Sequence, residues 1–206
     1  MEFAYSFAGL VVGFIVGLTG IGGGALMTPI LIVVFGIPPV TAVSTDLLYA
    51  AITKGGGIFS YAKKKLVEYK IVLLLLSGSL PGSLLTLHYL KGLDGLEQIE
   101  HLMNLTLGVS LVLTSIAVFF RNKIRAKALK WQDTAFAHHG RRWRPYITVA
   151  MGVVLGGLVT LSSVGAGALG TALLILLYPR LSMPAIVGTD LLHAVVLTAV
   201  AGAGHY

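Results

Sequence analysis

Of the eight acidic residues in the chain, Asp46 and Asp190 alone fall inside uninterrupted apolar sequence. An ionised carboxylate in such surroundings must be paired, accept hydrogen bonds or take up a proton. Each follows a threonine, Thr45 or Thr189, and precedes a Leu-Leu pair. Two readings fit: a titrating group that couples proton movement to that of another ion, or a carboxylate that caps unwound backbone in its own half. An aspartate repels an anion unless protonated, so coupling is a better role for it than anion ligation. His193 follows Asp190 by one turn and shares its helix face, a spacing suited to proton relay or, alternatively, to a hydrogen-bonded packing residue. Lys54, about two turns beyond Asp46, precedes Gly55, Gly56 and Gly57. It is either a counter-charge for an anion or a side chain that snorkels to the interface.

A second set of candidates is glycine-rich. Gly20, Gly22, Gly23 and Gly24 interrupt one apolar stretch at 5–37, and Gly165 and Gly167 interrupt another at 146–178. Each stretch has about 33 residues, roughly 50 Å as continuous helix, which is too long for one crossing and short for two. The expected solution is a pair of half-helices meeting near mid-membrane. Unwound backbone there frees N–H groups and a positive helix end, which suit an anion. Thr19, Ser162 and Ser163 add hydroxyls, so these three and the six glycines are the candidate substrate ligands. Thr45, Asp46, Lys54, Thr189, Asp190 and His193 are the candidate coupling or gating groups. Gly9, Gly13, Gly17, Gly152 and Gly156 read instead as small residues at helix seams.

The elements that hold these residues are helices in a membrane. Hydrophobic residues make up 56% of the 206, charged residues 11%, and the mean hydropathy is +0.88. Several runs exceed the ~20 residues that cross a bilayer as helix, so the expected fold is an all-α polytopic bundle. Glu2 and the lack of a basic leader argue against a cleaved signal peptide. Helices are expected at 38–61, 68–90, 96–120 and from Leu181 to the end. The net charge of +7 resides mainly in two clusters, at 62–70 and 121–145, which the positive-inside rule places in the cytoplasm. Trp131, Trp143, His138 and His139 in the second cluster fit a headgroup-level anchor better than a nucleic-acid surface. The chain has no cysteine, and no catalytic or metal-ligand motif stands out. An enzyme is therefore not expected, nor are a metal, a cofactor or a nucleic-acid partner.

The chain repeats itself. TGIGGGALMTPIL from Thr19 aligns with SSVGAGALGTALL from Ser162, and PPVTAVSTDLLYA from Pro38 aligns with SMPAIVGTDLLHA from Ser182 after a one-residue insertion. The organisation expected is a first transmembrane repeat at 1–120, a basic cytoplasmic loop at 121–145 and a second repeat at 146–206. By internal analogy the second repeat is shorter by about two helices, and a fragment of a longer protein is the expected explanation. The repeats are parallel if each broken stretch crosses once, and inverted if each folds back as a hairpin. The inverted arrangement is favoured by the length of the broken stretches.

These motifs resemble the sulfite exporter TauE/SafE family of bacterial membrane proteins. The resemblance is carried by GLTGIGGGALMTPIL at Gly17–Leu31 and AVSTDLLYAAITKGGG at Ala42–Gly57, with LSSVGAGALGTALL and VGTDLLHAVVLT in the second half. It implies a secondary transporter in the bacterial inner membrane that exports a small anion, sulfite or another sulfur-containing species. The implied partners are that anion, the lipid bilayer and, as an open alternative, a second copy in a homo-oligomer. The competing class is a non-transporting scaffold or assembly subunit, in which the glycines only pack.

Overall fold

The computed structural model describes residues 2–19, 23–93, 95–132 and 136–205, and for 2–5, 16–19, 131–132 and 136–141 the backbone alone. Gly20, Gly22 and the side chains of Thr19, Trp131, His138 and His139 lie outside the described residues. The order of elements is α1 (Glu2–Thr19), a 3-10 turn (Gly23–Ala25), α2 (Met27–Val33), α3 (Pro39–Lys63), α4 (Tyr69–Lys91), α5 (Leu96–Phe119), α6 (Arg121–Gln132), α7 (Phe136–Ser162), α8 (Ala168–Leu177) and α9 (Met183–Gly204). The fold among the described residues is all-α, as the hydropathy requires. Both broken stretches divide at their glycines, giving α1–α2 and α7–α8. The two Thr-Asp helices begin alike, with proline in the first turn of α3 and of α9. Proline is tolerated there because the first N–H groups of a helix have no intrahelical partner.

Among the described residues four helical segments are long and apolar enough to cross a membrane: α4, α5, residues Arg142–Ser162 of α7, and α9. Helix α3 has the length to do so, with 25 residues, but carries Asp46 and Lys54. The expected turn at 62–70 is present. Lys65 adopts a left-handed φ of +55° and Leu66 N–H bonds the Tyr61 carbonyl, ending α3. The segment 121–145, expected as a loop, is helical over α6 and the start of α7. Lys, Arg, Ala and Leu all favour helix, and Ile124 and Ala128 form a small apolar face one turn apart. Ala128 is buried, and Ile124 packs on a core that includes Leu174 and Ile186.

Lipid gives helices no hydrophobic reason to associate, so close packing must hold the bundle. The most extensive pair is α4 with α7, joined through Gly78 and Gly82 on one helix and Gly152 and Gly156 on the other. A β-carbon built at Gly156 falls 2.1 Å from the Ser79 carbonyl oxygen, and one at Gly78 falls 2.0 Å from that of Val149. No side chain fits there. Gly152 and Gly156 are thus seam residues, as expected, and the sequence reading missed their partners on α4. Gly9 and Gly13 hold the corresponding places on α1, where a β-carbon at Gly9 meets nothing within 4 Å and one at Gly13 meets only the Tyr49 hydroxyl. Gly17 lies outside the residues with described side chains.

The second large pair is α3 with α9, which brings the two Thr-Asp helices together. Val43 and Leu47 pack there with Ala194, Leu197 and Ala201 in one buried cluster, to which Met103, Val159 and Ala166 also belong. The breaks on either side are thereby carried into the middle of the bundle.

Candidate functional site

Each aspartate is held by a threonine from the helix that follows its own break. Thr28 on α2 donates to Asp46 Oδ2 at 2.8 Å, and Thr171 on α8 donates to Asp190 Oδ2 at 3.1 Å. Thr28 and Thr171 are aligned residues of the repeat, as are the aspartates, so the duplication is built into matching side-chain contacts. Sequence reasoning passed over both threonines. The signal was present in the aligned strings ALMT and ALGT, but a threonine in apolar sequence ordinarily bonds its own helix.

The two breaks touch. A β-carbon at Gly24 falls 2.2 Å from the Ser163 carbonyl oxygen and 3.1 Å from Asp46 Oδ2, and one at Gly23 lies 3.8 Å from Asp46 Oδ1. The second break departs from helical geometry at Ser163, with φ +56°, and at Gly165, with φ +115°. Gly170 N–H then returns to the Gly165 carbonyl at 3.1 Å to start α8. Ser162 ends α7: its hydroxyl donates to the Leu158 carbonyl at 2.7 Å and lies 3.2 Å from the Ser110 hydroxyl. The Ser163 side chain is buried beside the Asp46 carboxyl group.

Lys54 crosses between the halves. From α3 its ammonium donates to the Ala166 carbonyl in the second break, within electrostatic range of both Asp190 and Asp46. The group thus contains two buried aspartates and the half-buried Lys54, in a setting where charges persist only if balanced or solvated by fixed dipoles. A recess of about 270 Å³ borders this group, lined by Gly13, Gly23, Tyr49, Thr53 and Lys54 among others.

The remaining candidates are not at the breaks. Thr45 lies on the exposed side of α3, since one residue along a helix turns the side chain about 100° away from its neighbour Asp46. Thr189 donates to the Ala185 carbonyl at 2.6 Å and accepts from Glu68 N–H at 3.0 Å, so it fastens the start of α4. The hydroxyls of Thr45 and Thr189 therefore do not line the breaks. His193 is buried and its Nε2 lies 2.9 Å from the Ser79 hydroxyl on α4. That bond ties α9 to the α4 seam. No group of three His, Cys, Asp or Glu residues suited to a metal occurs among the described residues.

Four apolar spans, a duplicated pair of broken helices and an interior group of opposite charges define a multi-pass membrane protein of transporter type. The family model of the sulfite exporter TauE/SafE family matches residues 5–206, and the chain belongs to that family. It is 38% identical over 199 residues to the probable membrane transporter protein YjnA of Bacillus subtilis (strain 168), covering 94% of this chain and 75% of that protein. A second relative from the same organism, the probable membrane transporter protein YunE, is 27% identical over 184 residues, covering 82% of this chain and 66% of its own. No solved structure matches the chain.

Proposed function

We propose that the protein is a secondary transporter that exports a small anion, sulfite or another sulfur-containing oxyanion, across the bacterial inner membrane. The observation that carries this reading is the meeting of the two breaks at Gly24 and Ser163, with Lys54 reaching across it to the Ala166 carbonyl. Broken helices at matched positions in two halves are the usual setting of a transporter site, because unwound backbone supplies fixed dipoles at membrane depth. Here the same place also holds an ammonium. An anion in the neighbouring recess gains the Lys54 charge and the Tyr49 hydroxyl, while the Thr53 hydroxyl donates to the Tyr49 carbonyl of its own helix. Asp46 and Asp190 tune that charge and couple its exposure to a second ion. Relative motion of the halves then alternates access to the site.

The test is efflux of sulfite from proteoliposomes holding the purified protein, with and without an imposed pH or ion gradient. Saturable, protein-dependent efflux supports the reading. Absence of flux for sulfite and for other small oxyanions, from protein shown to be folded, removes it in favour of a scaffold role.

A further inference from the structure

We propose that helix α6 is a docking face for anionic phospholipid, on which Lys123, Lys127 and Lys130 hold negative headgroups of the surrounding bilayer. Lipid held in this way does not depend on the transport reading above.

Helix α6 is fixed to the bundle along one side. Ala128 is buried, Ile124 packs on the cluster that contains Leu174 and Ile186, and Arg125 donates to the Leu181 carbonyl at 3.2 Å. With 3.6 residues per turn these three fall on one side of the helix, and Lys123, Lys127 and Lys130 fall on the other, within about 60° of one another. All three lysines are exposed. The helix carries Arg121 and Arg125 besides, and no acidic residue. Like charges three and four residues apart repel and weaken a helix. Nothing on α6 itself relieves that repulsion, so the face calls for an anion from outside.

The membrane supplies the nearest one. Helix α5 ends at Phe119 and the next span begins at Arg142, so the charged α6 joins the ends of two spans at one surface of the bilayer. Exposed rings mark the level. Phe119, Trp143 and Tyr146 are 82%, 62% and 69% exposed, as aromatic side chains are where a helix passes from hydrocarbon to headgroups. The Lys123 ammonium lies 5.5 Å from the centre of the Phe120 ring, which ties the lysine face to that level. An ammonium at this depth meets lipid phosphate before any soluble polyanion. It favours a headgroup of net negative charge over a zwitterionic one, whose phosphate is already compensated.

The other lysine group is built differently. Lys63, Lys64 and Lys65 follow one another where α3 ends, with Lys65 in left-handed backbone. Successive residues in a turn share no face, so these three serve as a charge-matched control.

Binding is read on the purified full chain in detergent, from its melting temperature as phosphatidylglycerol or phosphatidylcholine is added and from the lipid retained in native mass spectrometry. The expected result is saturable stabilisation by phosphatidylglycerol that phosphatidylcholine does not reproduce and that molar salt abolishes. Substituting Lys123→Gln, Lys127→Gln and Lys130→Gln together should weaken phosphatidylglycerol binding by about a hundredfold, close to fivefold for each lysine at a membrane surface. Arginine at the same three positions should preserve it. Lys63→Gln, Lys64→Gln and Lys65→Gln together remove the same charge and should weaken it by less than about tenfold. The substituted side chains are exposed, so folding should survive, and the comparison of the two lipids on the wild-type chain decides even where a variant fails. Equal responses to both lipids overturn the face, as does a phosphatidylglycerol response untouched by the α6 substitutions or lowered equally by both sets. Capture of an oligonucleotide by these lysines in the presence of phosphatidylglycerol assigns the face to a soluble polyanion and overturns it too.

Discussion

Gly24 lies against Ser163 so closely that the main-chain carbonyl of one halts any side chain on the other, with 2.2 Å between that oxygen and a β-carbon built at Gly24. The contact joins the first half of the chain to the second where both have left α-helical geometry. Gly24→Ala must therefore push the breaks apart. Overpacking of this kind costs about 1–3 kcal/mol where side chains can adjust, and a backbone oxygen adjusts least. The expected outcome is a melting temperature lowered by several degrees in detergent, together with loss of transport. An unchanged melting curve and full activity would show that the halves do not meet there.

The α4–α7 seam makes a sharper comparison because the repeat supplies its own control. Gly156→Ala places a methyl group on the Ser79 carbonyl, while Gly9→Ala, on the equivalent helix of the other half, meets nothing within 4 Å. The first should destabilise by at least about 2 kcal/mol. The second should be neutral or stabilising by up to about 1 kcal/mol, the helix preference of alanine over glycine. Thermal unfolding of the two variants side by side checks both.

Thr171→Val removes the donor to Asp190, whose other carboxylate oxygen has no hydrogen-bond partner among the described residues. A buried carboxylate that loses its hydroxyl partner costs about 1–3 kcal/mol. Thr171→Ser keeps the hydroxyl and should recover most of that loss. The same pair of substitutions at Thr28 should behave alike towards Asp46, and melting temperatures measured on all four variants decide the matter.

Lys54→Gln retains a hydrogen-bond donor for the Ala166 carbonyl and discards the charge. The initial rate of anion efflux should fall at least about tenfold, the effect of losing a charged partner worth roughly 1.5–3 kcal/mol. Folding should survive, as judged by gel filtration and melting. Lys54→Arg should not restore the rate fully, because a planar guanidinium does not replace a compact ammonium in a confined site.

Much of this arrangement was legible beforehand, for physical reasons that differ from residue to residue. Hydropathy located α4, α5 and α9 to within a few residues, since a bilayer demands length and apolarity above all. The glycine clusters marked both breaks, and the repeat matched Asp46 with Asp190 before any contact was known. What could not be read was direction around the helices. Every face of these helices is apolar, so composition gave no sign that Thr45 turns outward, that Thr189 reaches Glu68, or that Gly78 and Gly82 oppose Gly152 and Gly156. Helix α6 was hidden for another reason. Its charges drew the reading towards a loop, although Ile124 and Ala128 already had helical spacing.

The tie from Lys54 to Ala166 also reveals where the two halves have ceased to be copies. The register that aligns Asp46 with Asp190 aligns Lys54 with Thr198, whose hydroxyl donates to the Ala194 carbonyl in its own helix. Two copies of the first half would match two aspartates with two lysines. Two copies of the second would bury carboxylates with no cation at all. Only the unlike pair sets two aspartates against a single lysine, and under the proposed function that imbalance is what a mobile ion fills and then vacates. On the proposed function, this difference at one position is what separates a carrier from a plug.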